Sequence, residues 1–105
     1  MIFRRSRFGD LVTRQLDLFE SDTQLLAEAA EADAAWSQAT AEESEERYGE
    51  YQLVVDAIGD ALYEIRETYA ATLAEETTAD EYRADFDRAA RKRFGRLAAF
   101  LEEDD

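Results

Sequence analysis

The sequence contains no histidine, no cysteine and no proline among its 105 residues, and it has only four glycines. Without histidine the chain lacks the commonest general base and metal ligand. Without cysteine it lacks thiolate nucleophiles, thiolate metal sites and disulfides. The missing proline and scarce glycine remove the residues that interrupt helices, which favours long helices and short connections. These absences point away from catalysis and toward an all-α fold.

Large apolar side chains are also scarce. Hydrophobic residues make up 46% of the chain, but nineteen of them are alanine, the best helix former and a poor core filler. The length predicts one domain over 1–105, with 1–6 as a basic arm and 102–105 as a frayed acidic end. Because such a core is marginal alone, we expect closely packed helices or a second copy that adds buried area.

Basic residues are few, with twelve bases against 26 acids and a net charge of −14. Residues 15–82 carry nineteen acids and two bases, whereas residues 1–14 sum to +3 and residues 83–105 to zero. The simplest interpretation of such acidity is solubility, or adaptation to a salty cytoplasm. The acidic body would repel nucleic acid, so no direct nucleic-acid binding is expected. No run suits a membrane span or a secretory signal, so we expect a cytoplasmic protein and no membrane contact.

The most regular pattern is a stripe of large residues spaced alternately three and four apart. Its members are Tyr48, Tyr51, Val55, Ile58, Leu62, Ile65 and Tyr69. This a/d spacing predicts a long central helix over about Ala41–Ala74, against which the other helices pack. Thr40 and Glu43 match a capping box that would start it. Periodicity leaves one alternative open, in which the second helix runs on to about Arg47 and the chain breaks at Gly49.

Two shorter helices are predicted before the central one. The first covers about Arg7–Phe19, with Ser6 as its cap. The second begins at a capping box of Ser21 and Gln24 and runs through Trp36. Its stripe is mostly alanine, so it can pack closely on a neighbour, and the tryptophan is interpreted as a core or interface anchor.

A last helix is predicted from a capping box of Thr78 and Glu81 to about Leu101. Its inward-facing residues would be Tyr82, Phe86, Ala89 or Ala90, Leu97 and Leu101. Together the four segments predict an up-and-down bundle of three or four helices with one long central helix.

Carboxylates are the main remaining candidates for chemistry. Glu64 and Glu67 lie three residues apart, as do Glu42 and Glu45, and such pairs can bind a hard cation through oxygen. They also arise by chance in a chain that is about one-quarter acidic. The sequence has neither a phosphate-binding glycine loop nor a nucleophile elbow. We therefore expect no catalytic residue, no cofactor and no dedicated metal site.

A basic cluster near the carboxyl terminus is the most distinctive polar feature. It comprises Arg88, Arg91, Lys92, Arg93 and Arg96. Clusters of this kind can bind phosphate or an anionic membrane, but acidic partners are abundant in this chain. We expect the cluster to pair with acidic helices of the same molecule or of a dimer mate. Leu53 and Tyr63 lie off the central stripe and would be exposed in a simple bundle.

These features predict a non-catalytic protein that forms a homodimer and serves as a protein–protein interaction or scaffold module. The candidate partner-binding residues are the basic cluster together with Leu53 and Tyr63. One alternative is an acidic mimic of the DNA phosphate array that inhibits a DNA-binding protein. Regularly spaced exposed carboxylates would support this alternative, and intramolecular arginine pairs would count against it. A second alternative is a metal-binding protein that uses carboxylates alone.

Overall fold

A computed structural model of the chain describes residues 7–98, and these form four α-helices. They are α1 (Gly9–Asp22), α2 (Leu25–Ser37), α3 (Ser44–Ala70) and α4 (Glu76–Phe94). Residues 95–98 add one turn of 3₁₀-helix after α4, and no strand occurs between residues 7 and 98. The predicted all-α fold with one long helix is confirmed. No helix in this part of the chain has the length and apolar content needed to cross a membrane.

The two short helices lie end to end along α3. Gln15 in α1 shares a groove with Ile65 and Tyr69 in the second half of α3. At the end of α2, the Trp36 ring contacts the ring of Tyr48, near the start of α3. Because α3 has 27 residues and a length of about 40 Å, it spans both short helices. In the bundle, α2 packs on α3, and α4 packs against both α1 and α3.

The fourth helix runs antiparallel to α3 and parallel to α1. Along α1, the Phe8 ring packs edge-on against Tyr82, with centroids 5.5 Å apart, and Phe19 packs against Phe94 at 5.7 Å. The Tyr82 hydroxyl donates a 2.8 Å hydrogen bond to Oε1 of Gln15. The largest side chains that are fully buried come from α1, α3 and α4 and are Tyr82, Phe86, Leu16, Ile58, Leu62 and Val12.

Only one of the three predicted capping boxes forms. Thr40 Oγ1 accepts from the Glu43 backbone N–H at 3.3 Å, and Glu43 Oε1 accepts from the Thr40 N–H at 3.4 Å. The prediction of a capping box at Ser21 was wrong, because Ser21 lies inside α1 and its hydroxyl donates a hydrogen bond to the backbone carbonyl of Asp17. The box at Thr78 was also wrong, because that residue lies inside α4 and its hydroxyl bonds backward to Glu75.

The helix ends differ from the predicted ones by a few residues. The central helix passes through Gly49 without a break, so the alternative boundary there is wrong. It ends at Ala70 rather than at Ala74. The last helix ends at Phe94, where Gly95 adopts a φ of 57° that L residues rarely reach. The predicted cap Ser6, the arm at 1–6, Leu101 and the acidic end at 102–105 lie outside the described residues.

Candidate functional site

The carboxylates between residues 7 and 98 include no group of three that could hold a metal ion. Glu64 and Glu67, the pair singled out in α3, have different surroundings. Glu67 bonds to two arginines, whereas Glu64 lies on the surface.

Part of the basic cluster pairs within the molecule. Arg93 Nη1 lies 2.8 Å from a carboxylate oxygen of Asp17 and 3.1 Å from one of Glu20, both in α1. Arg88 pairs at 3.0 Å with Asp85, one turn earlier in α4. Arg93 thus connects α4 to α1, whereas the pair of Arg88 with Asp85 lies within α4.

Two other members of the cluster form no ion pair with any of residues 7–98. Among residues 7–98, neither Arg91 nor Lys92 comes within ion-pair distance of a carboxylate, although the chain is strongly acidic. Arg96 reaches α2, where Nη2 lies 3.4 Å from Asp33 Oδ1. The residues of the predicted cluster therefore contact different parts of the molecule and do not form one site.

Leu53 and Tyr63 are exposed, as a simple bundle requires, at 70% and 48%. They lie about 80° apart around the axis of α3, since ten residues of helix make about 2.8 turns. The nearest outward-facing neighbours of Leu53 along the helix include Glu50 and Asp56, so it is an isolated apolar residue on an acidic face. The Arg66 guanidinium lies 5.1 Å from the Tyr63 ring centroid.

An apolar groove between α1 and α3 was not predicted. It has a volume of about 440 Å³ and is lined by Gln15, Leu18, Phe19, Asp22, Thr23, Ala61 and Ile65. It exists because α1 packs mainly on α4, while α2 and α4 cover the rest of α3. Leu18 stands at its rim with 57% of its surface exposed. No pattern in the sequence could have revealed this groove, since it depends on how far apart two helices lie.

The groove continues along α3 beyond Ile65. Its second half is lined by Gln15, Glu64, Ile65, Thr68, Tyr69 and Thr72. Among residues 7–98, Asp22 and Glu64 are the only charged residues that line either half. In a chain with a net charge of −14, this is a weakly charged strip of surface.

A buried arginine between α3 and α4 was also missed. Arg66 is only 4% exposed, and its Nε and Nη1 donate 2.8 Å hydrogen bonds to Glu67 and Asp87. A signal was present, because Arg66 follows Leu62 by four residues and precedes Ala70 by four. It therefore lies on the buried face of the central helix.

Arg83 extends this network to the surface. Its guanidinium donates to both carboxylate oxygens of Glu67, at 3.0 to 3.2 Å, and to Asp80 at 3.0 Å. The hydrogen bond from Arg83 lowers the pKa of Glu67, with a smaller contribution in the same direction from Arg66. The same bond to Glu67 raises the pKa of Arg83. The network ties α3 to α4.

Three aromatic rings form a cluster where α2 and α3 meet. Trp36 contacts Tyr48 and Tyr51, with centroids 4.7 and 5.8 Å apart. The interface role predicted for Trp36 agrees with these contacts. The cluster carries a cation, since Cζ of Arg96 lies 5.6 Å from the Tyr51 ring centroid.

No model of a known protein family matches this chain, and searches of curated proteins and of solved structures found no significant similarity.

Proposed function

We propose that the protein is a non-catalytic interaction module that self-associates through the groove between α1 and α3. The observation that carries this proposal is the exposed apolar side chain of Leu18 beside an open apolar groove. An exposed leucine next to a groove lined by Phe19, Ala61 and Ile65 is suited to burial against another apolar surface. In a two-fold arrangement, Leu18 of each copy would enter the groove of the other.

Charge supports a second copy of this chain as the occupant. Two molecules that each carry a net charge of −14 repel each other, so they approach most easily over surfaces that hold few carboxylates. The groove is such a surface, because Asp22 and Glu64 are the only carboxylates among the described residues that line it. The outer face of α3 around Leu53 is less suitable for such an approach, because the carboxylates of Asp56 and Asp60 are exposed there. The small alanine-rich core adds a reason for further burial.

The DNA-mimic alternative has less support. A phosphate-like array needs regularly spaced carboxylates that are free of cations. Here Arg47 pairs with Glu50, Arg83 with Glu67 and Asp80, and Arg93 with Asp17 and Glu20. These pairs interrupt the acidic surface on three of the four helices.

Light scattering on a sizing column tests the proposal. The wild-type protein is expected to have about twice its chain mass of 12.0 kDa. Because the rim carboxylates of two copies would repel each other, added salt should preserve or strengthen the dimer. Leu18→Glu should give a monomer. Leu53→Glu is the matched control, since it places the same charge at another exposed leucine outside the groove.

Two results would contradict this proposal. One is a wild-type monomer over a hundredfold range of concentration at both low and high salt. The other is equal loss of the dimer in the Leu18→Glu and Leu53→Glu variants. A dimer that dissociates in high salt would instead implicate ionic contacts of the basic cluster.

A further inference from the structure

The end of α4 places a guanidinium on a surface that two other helices build. After Gly95, whose positive φ ends the helix, Arg96 reaches across the bundle. Its Cζ lies 5.6 Å from the Tyr51 ring centroid, and its Nη2 lies 3.4 Å from Asp33 Oδ1. The site thus combines an aromatic face from α3 with a carboxylate from α2, which is the chemistry that recognises a cation.

A second aromatic ring reinforces that face. Trp36 stacks on Tyr51 with an interplanar angle of 27°, and Tyr48 packs against the same tryptophan. Tryptophan and tyrosine faces attract guanidinium and ammonium groups through the negative charge on the ring face. The cluster therefore offers a cation-binding surface in which the ring that carries the cation is fixed by its neighbour.

There is room beside Arg96 for another side chain. A cavity of about 280 Å³ adjoins the site, lined by Leu26, Ala29, Ala30, Asp33, Tyr51, Phe94, Arg96 and Leu97. Its apolar wall suits methylene groups, whereas Asp33 and Tyr51 suit a cationic end group. The lining of the cavity thus matches the polarity of an arginine side chain.

Arg96 is held only weakly in this position. Its side chain is 68% exposed and that of Asp33 is 41% exposed, so water weakens the ion pair. The Tyr51 ring is only 5% exposed, but a cation–π contact from so exposed a guanidinium also contributes little. An arginine from another molecule would therefore compete with Arg96 at a modest disadvantage, which corresponds to about a tenfold loss of apparent affinity.

We propose that Asp33 and Tyr51, with Trp36 stacked on Tyr51, form a binding site for an arginine side chain of a partner protein, and that Arg96 occupies this site from within the molecule. The incoming guanidinium would lie on Tyr51 and pair with Asp33, while its methylene groups enter the cavity. This site is separate from the groove between α1 and α3 and does not depend on self-association. A Leu18→Glu monomer should retain it.

Trp36 is the only tryptophan in the chain and stacks on Tyr51, so its fluorescence reports on the ring that carries the cation. The probe is acetyl-arginine amide at low salt, and acetyl-citrulline amide is the neutral ligand of similar length. Arg96→Ala should bind the arginine probe about tenfold more tightly than the wild type. Adding Asp33→Asn to that variant should abolish most of the gain. Arg93→Ala is the matched control, because it removes an arginine that pairs with α1 and leaves Arg96 in place.

Circular dichroism checks that each variant folds. If Arg96→Ala does not fold, Arg96→Gln removes the charge while keeping most of the side-chain stem, and the same comparison applies. The proposal is overturned if removing the Arg96 guanidinium by substitution does not tighten binding of the arginine probe. It is equally overturned if the citrulline probe binds as well as the arginine probe, or if Arg93→Ala produces the same gain as Arg96→Ala.

Discussion

The guanidinium of Arg66 donates a 2.8 Å hydrogen bond to the carboxylate of Asp87, and this pair links α3 to α4 from inside the bundle. Only 4% of the arginine side chain and 17% of the aspartate side chain are exposed. A charge removed from water costs free energy unless partners compensate it, and Glu67 supplies the second partner. Arg66 therefore serves both carboxylates, and removing it takes away the buried cation that they share, although Glu67 keeps its pair with Arg83.

Arg66→Met should destabilise the protein by about 3 kcal/mol, because it leaves two partly buried carboxylates without their shared cation. Urea unfolding at neutral pH measures this as a lower midpoint with an unchanged slope. Arg83→Met is the control. That side chain is 32% exposed, and its loss should cost about 1 kcal/mol or less. Equal losses in the two variants would show that burial does not distinguish the two arginines.

The positions of Arg66 and Leu18 show where prediction from the sequence stops. Spacing alone located the buried and half-buried residues from Tyr51 to Tyr69 in α3, because apolar residues at helical intervals have to share a face, although Tyr48 at the start of the predicted stripe is 42% exposed. It did not identify Arg66 as part of the buried face, since a charged residue is assigned to the surface unless its partners are known. Nor could it find the groove beside Leu18, which depends on the separation of α1 and α3. Local periodicity predicts which face is buried but not how completely a neighbour covers it.

Gly49→Ala should stabilise the protein by about 0.5–1 kcal/mol, since alanine loses less backbone entropy in a helix. No atom lies within 4 Å of the position that the new Cβ would take. Gly95→Ala is the opposite case, because its φ of 57° and ψ of −129° are strained for alanine. That substitution should cost about 1–3 kcal/mol. Thermal unfolding of the two variants measures the contrast, and stabilisation by both would contradict the assigned end of α4.

Thr40→Ala should cost about 0.5–1 kcal/mol, because it removes the hydroxyl that accepts the Glu43 N–H before α3. Thr78→Ala should be nearly neutral, since Thr78 is already helical and its hydroxyl does not cap α4. The helical position of Thr78 also explains why the predicted capping box of Thr78 and Glu81 does not form. A capping residue must leave the helical conformation for its side chain to reach forward. Urea midpoints that fall equally in both variants would contradict the distinction.

Glu67→Gln should remove stability that is present at neutral pH and disappears in acid. The pKa of Glu67 is lowered in the folded protein, chiefly by the hydrogen bond from Arg83. Its contribution is therefore complete above the unfolded value of about 4.3 and is lost as the pH falls through the folded pKa. The urea midpoints of wild type and variant should converge below about pH 4. Glu64→Gln, at an exposed position in the same helix, should show no comparable convergence.

Tyr82→Phe should change the response to alkali. Burial raises the pKa of Tyr82 from 10.0 to about 12 in the folded protein, so folding favours the neutral phenol. The stability that this provides is complete below pH 10 and is lost as the pH rises from about 10 to about 12. At neutral pH the variant should lose about 1 kcal/mol, because the hydrogen bond to Gln15 is missing. As the pH rises through this window, wild-type stability should fall more steeply than that of the variant, and the two should approach each other. Tyr48→Phe, at an exposed ring, is the control and should keep the wild-type slope, so a parallel loss in all three proteins would contradict the buried phenol as the cause.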